Sequence, residues 1–187
     1  MSIILKQHID EISPLTDDEF AFVLSHFTVK KFKKHQYLIQ EGDLVQNDYF
    51  VVSGLLKSSH TDARGKEHIL QFAMENWWIS DPQAYHNQTP ATLYVNCLED
   101  TETLAITLHN REKLCVEFRK MEYFFRKKTT AGYIAMQKRV LSLIGSDSKE
   151  RYLQLIEQYP QFRRLPKTMI AAYLGITRET LSRFEAS

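Results

Sequence analysis

The sequence predicts an α+β protein with an antiparallel β-rich body, one long helix and a small helical tail. Between residues 28 and 107, short apolar stretches alternate with turn residues roughly every 8–12 positions, as in small antiparallel barrels and sandwiches. Helical periodicity takes over near His109, and the C-terminal end holds two short helical segments joined at a glycine. We therefore expect a body over residues 1–118, a long helix over 119–145 and a tail over 146–187.

A helix is predicted at the start of the body, within the stretch PLTDDEFAFVLSHF. Thr16 can cap it, and Glu19, three residues later, completes a capping box. Leu15 and Phe20 are placed for a hydrophobic staple across the same helix start. Further apolar residues share a face with Phe20 at helical spacing, so this helix can pack on the body.

Strands and turns fill the stretch DYFVVSGLLKSSHTDARGKEHILQFA. Gly54 separates two strands, and Gly65 occupies the tight position of a hairpin turn within DARGKE. The stretch TLYVNCLEDTETLAITL adds two more strands. Strands this short, with turn residues between them, indicate antiparallel pairing.

The helical stretch after His109 is predicted to be a short helix followed by a long one. In the long helix, roughly residues 121–144, Ala131, Ile134 and Leu141 fall on one face. This apolar stripe is too long for one small domain to cover. A further helix follows and ends at Pro160, which cannot continue it.

Charge is unevenly distributed along the chain. Residues 1–118 hold 10 Lys and Arg against 17 Asp and Glu, a balance of −7, whereas residues 119–187 hold 14 against 6, a balance of +8. A basic C-terminal third indicates a polyanion-binding module joined to a body of different character. Chance variation on a solvated surface is the alternative interpretation.

Several classes of protein are disfavoured by missing motifs. The sequence has no P-loop, G-x-S-x-G, H-E-x-x-H or paired-carboxylate motif, so no enzyme is expected. Cys97 and Cys115 are too few for a disulfide framework or a four-cysteine metal site, and the histidines lack ligand spacing. No apolar run approaches the roughly 18 residues of a membrane span, and the N-terminus lacks the cationic segment of a signal peptide. We expect a cytoplasmic protein without cofactor, metal or membrane contact.

The segment LPKTMIAAYLGITRETLSRF has the pattern of a helix-turn-helix. Pro166 suits the first turn of a helix. Gly175 allows the left-handed conformation of a tight turn between helices, and Thr177 is a good N-cap for the second helix. Leu181 and Phe184 then face the first helix, which leaves the other side of the second helix polar.

This polar side is suited to DNA. Arg can form a bidentate pair with guanine and Glu can accept from cytosine, while Ser and Thr can hold phosphates. The candidate DNA-binding residues are Thr177, Arg178, Glu179, Thr180, Ser182, Arg183 and, just upstream, Lys167. A solvated helical hairpin without DNA affinity is the alternative interpretation.

The segment GITRETLSRF resembles the recognition-helix motif of the Crp/Fnr family of bacterial transcription regulators. In that motif an Arg-Glu pair and a later Arg contact bases, and the matching positions are Arg178, Glu179 and Arg183. The resemblance extends over the chain in order, and "EGD…FVVSGLLK" is similar to a glycine-containing pattern of the family's sensor domain. It implies a jelly-roll-like antiparallel β-roll of cyclic-nucleotide-binding type, a long dimerisation helix and a C-terminal helix-turn-helix.

The resemblance also implies a homodimer that pairs through the long helix and binds a two-fold symmetric site on double-stranded DNA. Two linked recognition helices bind far more tightly than one. RNA polymerase is a further candidate partner. Family members often continue into a small β-wing, whereas only Glu185, Ala186 and Ser187 follow here. Either this subfamily lacks the wing or the sequence is truncated.

In cyclic-nucleotide-binding members, a short helical cassette running from Gly-Glu to Arg-Ser holds the ribose phosphate. The stretch WISDPQAYHNQTPATLYVN is similar to it, with Ser80 and Asp81 at Gly-Glu and Ala91 and Thr92 at Arg-Ser. Asp81 could bond a hydroxyl and Thr92 a phosphate oxygen. Ala91 removes the cation, however, and a buried phosphate charge without a partner costs several kcal/mol. Pro82 also departs from the pattern, so we expect no cyclic AMP binding.

Aromatic residues around this cassette leave two interpretations open, a pocket for an apolar small-molecule effector or ordinary core packing. The candidate pocket residues are Asp81, Ala91, Thr92, Tyr85 and Tyr94. The effector itself is unknown. For the whole chain, the rival hypothesis is a small-molecule-binding or protein-interaction module whose tail does not bind DNA.

Overall fold

The computed structural model describes residues 2–185, and over these residues eight strands form two four-stranded sheets. The strands are β1 (Thr28–Phe32), β2 (Tyr37–Ile39), β3 (Asn47–Ser53), β4 (Leu56–Thr61), β5 (Glu67–Ala73), β6 (Trp78–Ile79), β7 (Tyr94–Cys97) and β8 (Thr101–Thr107). One sheet has the order β1-β8-β3-β6 and the other β2-β7-β4-β5. In the first sheet, β8 pairs antiparallel with β1 and with β3, and β3 also pairs antiparallel with β6. In the second sheet, β7 pairs antiparallel with β2 and with β4.

Helices precede, interrupt and follow the strands. They are α1 (Ser2–Asp10), α2 (Asp17–Leu24), α3 (Pro82–Asn87), α4 (Leu108–Glu117), α5 (Arg119–Gly145), α6 (Ser148–Gln158), α7 (Lys167–Leu174) and α8 (Arg178–Glu185), with a 3-10 helix at Pro160–Arg164. The antiparallel β-roll, the long helix and the C-terminal helical pair confirm the predicted fold class.

Strand β3 carries an unbroken apolar run because both of its faces are buried. Tyr49 and Val51 belong to the core cluster that contains residues of both sheets. Phe50 and Val52, at the alternate positions, belong to a second cluster with residues of helices α1, α2, α4 and α5. Side chains alternate between the two faces of a strand, so β3 joins the sheet core to the helical layer.

The predicted start of helix α2 is confirmed in detail. The Thr16 backbone N–H donates to Glu19 Oε2 at 2.8 Å, and the Glu19 N–H donates to Thr16 Oγ1 at 3.3 Å, which is a capping box. Lys120 Nζ at the start of α5 donates to both Glu19 oxygens, at 2.7 and 2.8 Å. The cap therefore also holds the beginning of the long helix.

The chain divides into two compact units. One contains residues up to 60 together with 71–129, and the other contains residues 61–70 together with those from 130 onwards. The second unit thus includes the outer part of the β4–β5 hairpin. Its turn has Gly65 at φ +77°, as the sequence predicts, and Asp62 Oδ1 accepts from the Lys66 N–H at 3.0 Å.

Candidate nucleic-acid interface and sensor cassette

The turn between helices α7 and α8 is formed around Gly175. This residue has φ +71°, which glycine adopts without the steric cost of a Cβ atom. The Ile176 N–H donates to the Ala171 carbonyl at 3.0 Å and the Gly175 N–H to the Ala172 carbonyl at 3.4 Å, the bonds of a Schellman motif. Ala171 is buried, so the small residue and the glycine occupy the places predicted from the sequence.

Helix α8 begins at a threonine cap. Thr177 Oγ1 accepts from the Thr180 N–H at 3.2 Å, which confirms the predicted N-cap. The two threonine hydroxyl oxygens lie 3.0 Å apart, and Arg183 Nη2 donates to Thr180 Oγ1 at 3.3 Å. Leu181 is fully buried on the opposite side. Leu181 thus anchors the inner side of α8, and Arg183 lies on the exposed outer side.

The candidate DNA-binding residues lie at or near the solvent surface of the second unit. Thr177, Arg178, Glu179, Arg183 and Lys167 are exposed, and Thr180 and Ser182 are half-buried. Glu179 and Arg183 are four positions apart and are neighbours on the surface of α8. Helix α8 therefore presents an acceptor and two arginines from a single short segment.

A groove of about 560 Å³ lies at the beginning of helix α7. It is lined by Tyr152, Arg163, Leu165, Pro166, Lys167 and Ile170. Arg163 and Lys167 are both exposed and place two cations beside this end of the helix, where the helix dipole also favours anions. The predicted upstream position of Lys167 is thus next to a second cation, a combination suited to phosphate rather than to a base.

Sequence reasoning missed two arginines that support this turn. Arg139 of α5 donates to the carbonyl of Tyr173, and Arg151 of α6 donates to the carbonyl of Leu174. Both carbonyls end helix α7. In the sequence these arginines are only polar positions of amphipathic helices, and no local pattern distinguishes them from solvated ones.

In the first unit, the carboxylate of Asp81 is occupied by hydrogen bonds within the cassette. Its Oδ1 accepts from the Ala84 N–H at 3.1 Å and caps α3, with Pro82 in the first turn. Its Oδ2 accepts from the Thr92 N–H at 2.7 Å and the Thr92 hydroxyl at 3.0 Å. The two residues aligned with ligand-binding positions therefore bind each other, and Asp81 is almost fully buried.

The remaining cassette residues are divided between core and surface. Tyr85 is buried, and its hydroxyl donates to the Ile106 carbonyl at 3.2 Å. Ala91 is buried and exchanges backbone bonds with the loop before β3, its N–H donating to Asp43 at 2.8 Å. Tyr94 is half-buried and packs edge-on against Tyr37, with ring centroids 5.9 Å apart. Of the two tyrosines, only Tyr94 has its ring near the surface.

A cation near this region, Arg111, is already paired. Arg111 of α4 donates from Nη1 to Asp48 Oδ2 at 3.1 Å and from Nη2 to Thr129 Oγ1 at 3.3 Å, and its guanidinium lies 4.5 Å from the Phe125 ring centroid. Burial raises the pKa of Asp48 to about 6, and the arginine charge opposes that rise. Removing Arg111 from this pair to serve a ligand would leave a buried carboxyl group without its cation.

Within residues 2–185, no three His, Cys, Asp or Glu side chains are grouped so that they could hold a metal ion. None of the helices described over the same range is long and apolar enough to cross a membrane.

Comparison with known proteins agrees with this geometry. Residues 29–118 match the family described as "Cyclic nucleotide-binding domain". The "Anaerobic regulatory protein" of Bacillus subtilis (strain 168) is 23% identical over 174 residues, which is 92% of this chain and 73% of that protein. The matched domain contains both sheets and the cassette. The matched domain and this relative both agree with the resemblance to the Crp/Fnr family that the sequence predicts.

Solved structures share the fold. FixK2 from Bradyrhizobium japonicum has a TM-score of 0.73 at 19% identity, covering 86% of this chain and 83% of that one. The Catabolite Activator Protein of Thermus thermophilus has a TM-score of 0.59 at 20% identity, covering 96% and 85%. At these identities the likeness is one of fold, in agreement with the fold class predicted from the sequence.

The internal bonds of Asp81 generate a stability prediction. Asp81→Ala should lower the free energy of unfolding by roughly 2–4 kcal/mol, because it removes the cap of α3 and leaves two Thr92 donors without their acceptor. Thr92→Val removes only the hydroxyl bond and should cost about 1 kcal/mol. Urea denaturation measures both. If Asp81 were instead a free acid kept for a ligand, the alanine variant would be as stable as the unmodified chain or more so.

Proposed function

We propose that the chain is a homodimeric regulator that pairs through helix α5 and reads a specific DNA sequence with helix α8. The observation that supports this most is the construction of α8, whose inner side is anchored by a buried leucine and whose outer side carries Arg178, Glu179 and Arg183. A rigid helix that presents such side chains can enter a major groove and contact base edges.

Helix α5 supplies the proposed dimer contact. Its second half exposes large apolar side chains, namely Tyr133, Ile134, Met136, Val140, Leu141, Leu143 and Ile144. At 3.6 residues per turn, Tyr133, Val140 and Ile144 lie along the middle of one face. Contiguous exposed apolar surface of this kind is rare on monomers and marks a contact with another protein. The same face of a second copy is the proposed partner.

Pairing explains how a short recognition helix can suffice. One helix offers few contacts, whereas two linked helices make the second binding event intramolecular and raise the overall affinity. A two-fold dimer requires half-sites separated by roughly one DNA turn, about 34–36 Å, or a multiple of it. The operator is therefore proposed to be an inverted repeat.

We propose that the sensor roll does not use cyclic AMP, although the family that it matches is described as "Cyclic nucleotide-binding domain". Asp81 and Thr92 satisfy one another, Ala91 offers no charge, and Arg111 is engaged by Asp48. Neither Ala91 nor the engaged Arg111 would supply a cation to a nucleotide phosphate in the cassette. The aromatic residues Trp78 and Tyr85 pack into the core, which favours core packing over an apolar ligand pocket.

The dimer contact leads to the first prediction of this proposal. Ile134→Asp and Leu141→Asp should each weaken dimerisation by roughly 100-fold or more, because a charge would be buried in the seam without a partner. Ala135→Asp introduces the same charge on the opposite, exposed side of α5 and should leave the dimer intact. Sedimentation velocity over a concentration series measures this. Intact dimers in both seam variants would exclude this face as the contact.

The proposed contacts of α8 with base edges lead to a second prediction. The test uses a duplex that the unmodified chain selects from a random pool. Arg183→Ala should lower the discrimination between this duplex and a scrambled one by roughly 1–3 kcal/mol per half-site. Arg183→Lys keeps the charge but not the bidentate geometry, so it should lose most of the same discrimination. Lys167→Ala should weaken all duplexes alike and flatten the salt dependence. Fluorescence anisotropy on selected and scrambled duplexes measures these effects. Equal losses on both duplexes for every variant would contradict the assignment of α8, and no salt-dependent binding at all would favour the interaction-module hypothesis.

The third prediction concerns ligand binding by the sensor roll. Neither cyclic AMP nor cyclic GMP should raise the melting temperature, whereas a ligand at 100 times its dissociation constant would stabilise the fold by about 2.7 kcal/mol. Ala91→Arg alone should not restore binding, because Asp81 and Thr92 remain bonded to each other. Micromolar affinity for cyclic AMP in calorimetry would contradict the proposal. It would then point to Arg126, Lys127 or Lys128 of a second copy as the source of the cation.

A further inference from the structure

The C-terminal end of helix α7 has all four of its free carbonyls bonded. The last four carbonyls of a helix have no partner within the helix and must find one elsewhere. Those of Ala171 and Ala172 accept from the backbone N–H groups of the turn. Those of Tyr173 and Leu174 accept from Arg139 and Arg151. Two arginines therefore complete the turn that leads into α8.

Arg139 also bonds the β4–β5 hairpin, which Arg151 does not. Its Nη2 donates to the Tyr173 carbonyl at 3.0 Å and also to the Ile69 carbonyl at 2.9 Å. Its guanidinium carbon lies 3.7 Å from the centroid of the Tyr173 ring, a cation–π contact. Ile69 belongs to β5, in the outer part of the β4–β5 hairpin that groups with the C-terminal residues. One side chain thus links α5, α7 and the hairpin.

Arg151 is the matched comparison. Its Nη1 donates to the Ser146 carbonyl at 2.7 Å and its Nη2 to the Leu174 carbonyl at 3.4 Å. It therefore joins the end of α5 to the end of α7, and neither bond reaches the hairpin. The two arginines support the same helix end and differ in the second element that they hold.

The position of Arg139 is energetically costly. Its Nη1 is buried without a hydrogen-bond partner among the described residues, and buried donors of this kind are uncommon in native structures. Desolvation lowers the pKa of the guanidinium, although Tyr173 opposes the shift. A lysine would bury less polar surface, but it lacks the planar geometry that lets one group stack on a ring and serve two carbonyls.

We propose that Arg139 is a positioning residue that couples the β4–β5 hairpin to the helix-turn-helix and so sets the orientation of α8 for DNA. The proposal rests on the DNA-binding function proposed above. Its physical basis is that the Tyr173 carbonyl lies two residues before Gly175, so a displacement of Ile69 acts on the turn through a single guanidinium. A change in the hairpin thereby alters DNA binding without any contact between the hairpin and DNA.

The first test measures amide hydrogen exchange in the full chain without DNA. Arg139→Met should raise exchange both in residues 61–70 and in residues 173–178, by roughly 10-fold if the lost coupling is of ordinary size. Arg151→Met should raise it in the turn and leave the hairpin unchanged. Arg139→Lys keeps the charge and should give an intermediate effect, and it replaces the methionine variant if that one does not fold. Unchanged exchange in the hairpin of the Arg139 variants would overturn the proposal.

The second test is a double-mutant cycle on DNA affinity. Asp62→Ala loosens the hairpin turn, because Asp62 accepts from the Arg64 and Lys66 N–H groups and pairs with His68. It should weaken binding to the selected duplex several-fold in the unmodified background and have no further effect in Arg139→Met. Additive losses, or tighter binding by Arg139→Met, would overturn the proposal. Absence of DNA binding by the unmodified chain would contradict only the proposed function, since hydrogen exchange still tests the coupling.

Discussion

The first half of helix α5 is part of the core of the roll, and much of the structure depends on this. Met121, Phe124 and Phe125 are buried in the same cluster as residues of α1, β3 and β8. Lys120 binds the Glu19 cap beside them, and Thr129 accepts from Arg111. These contacts hold the start of the helix, whereas its second half exposes large apolar side chains. Burying that apolar face requires another molecule, which is why we propose a second copy as the partner.

The requirement that buried polar groups be hydrogen-bonded accounts for the arrangement of the cassette. A buried carboxylate must be fully hydrogen-bonded or it destabilises the fold, and Asp81 meets this condition with the Ala84 N–H and with both donors of Thr92. In such a site a ligand gains little, because each new bond to Asp81 would replace an existing one. Asp81 and Thr92 therefore act as a structural link within the cassette, which supports the proposal that the roll does not use a cyclic nucleotide.

Local rules predicted those features that depend on neighbouring residues. The Thr16 capping box, the Gly65 hairpin, the Gly175 turn and the Thr177 cap each require a few adjacent positions, and all are found where the sequence places them. Helix α1 escaped prediction because its short apolar run carries no cap signal. The Asp81–Thr92 bonds and the carbonyl contacts of Arg139 join residues 11 to 70 positions apart. No periodicity encodes such pairs, so they emerge only from the fold.

These long-range contacts also change the meaning of the basic C-terminal third. Its balance of +8 favoured a polyanion-binding module, yet Arg139 and Arg151 donate to the carbonyls at the end of helix α7. The exposed cations that remain near the interface include Arg163, Lys167, Arg178 and Arg183. Affinity for DNA grows with the number of phosphates that such cations neutralise. The proposed dimer would place two sets of these cations on one DNA molecule, and the exposed apolar face of α5 is a separate observation that supports the same proposal.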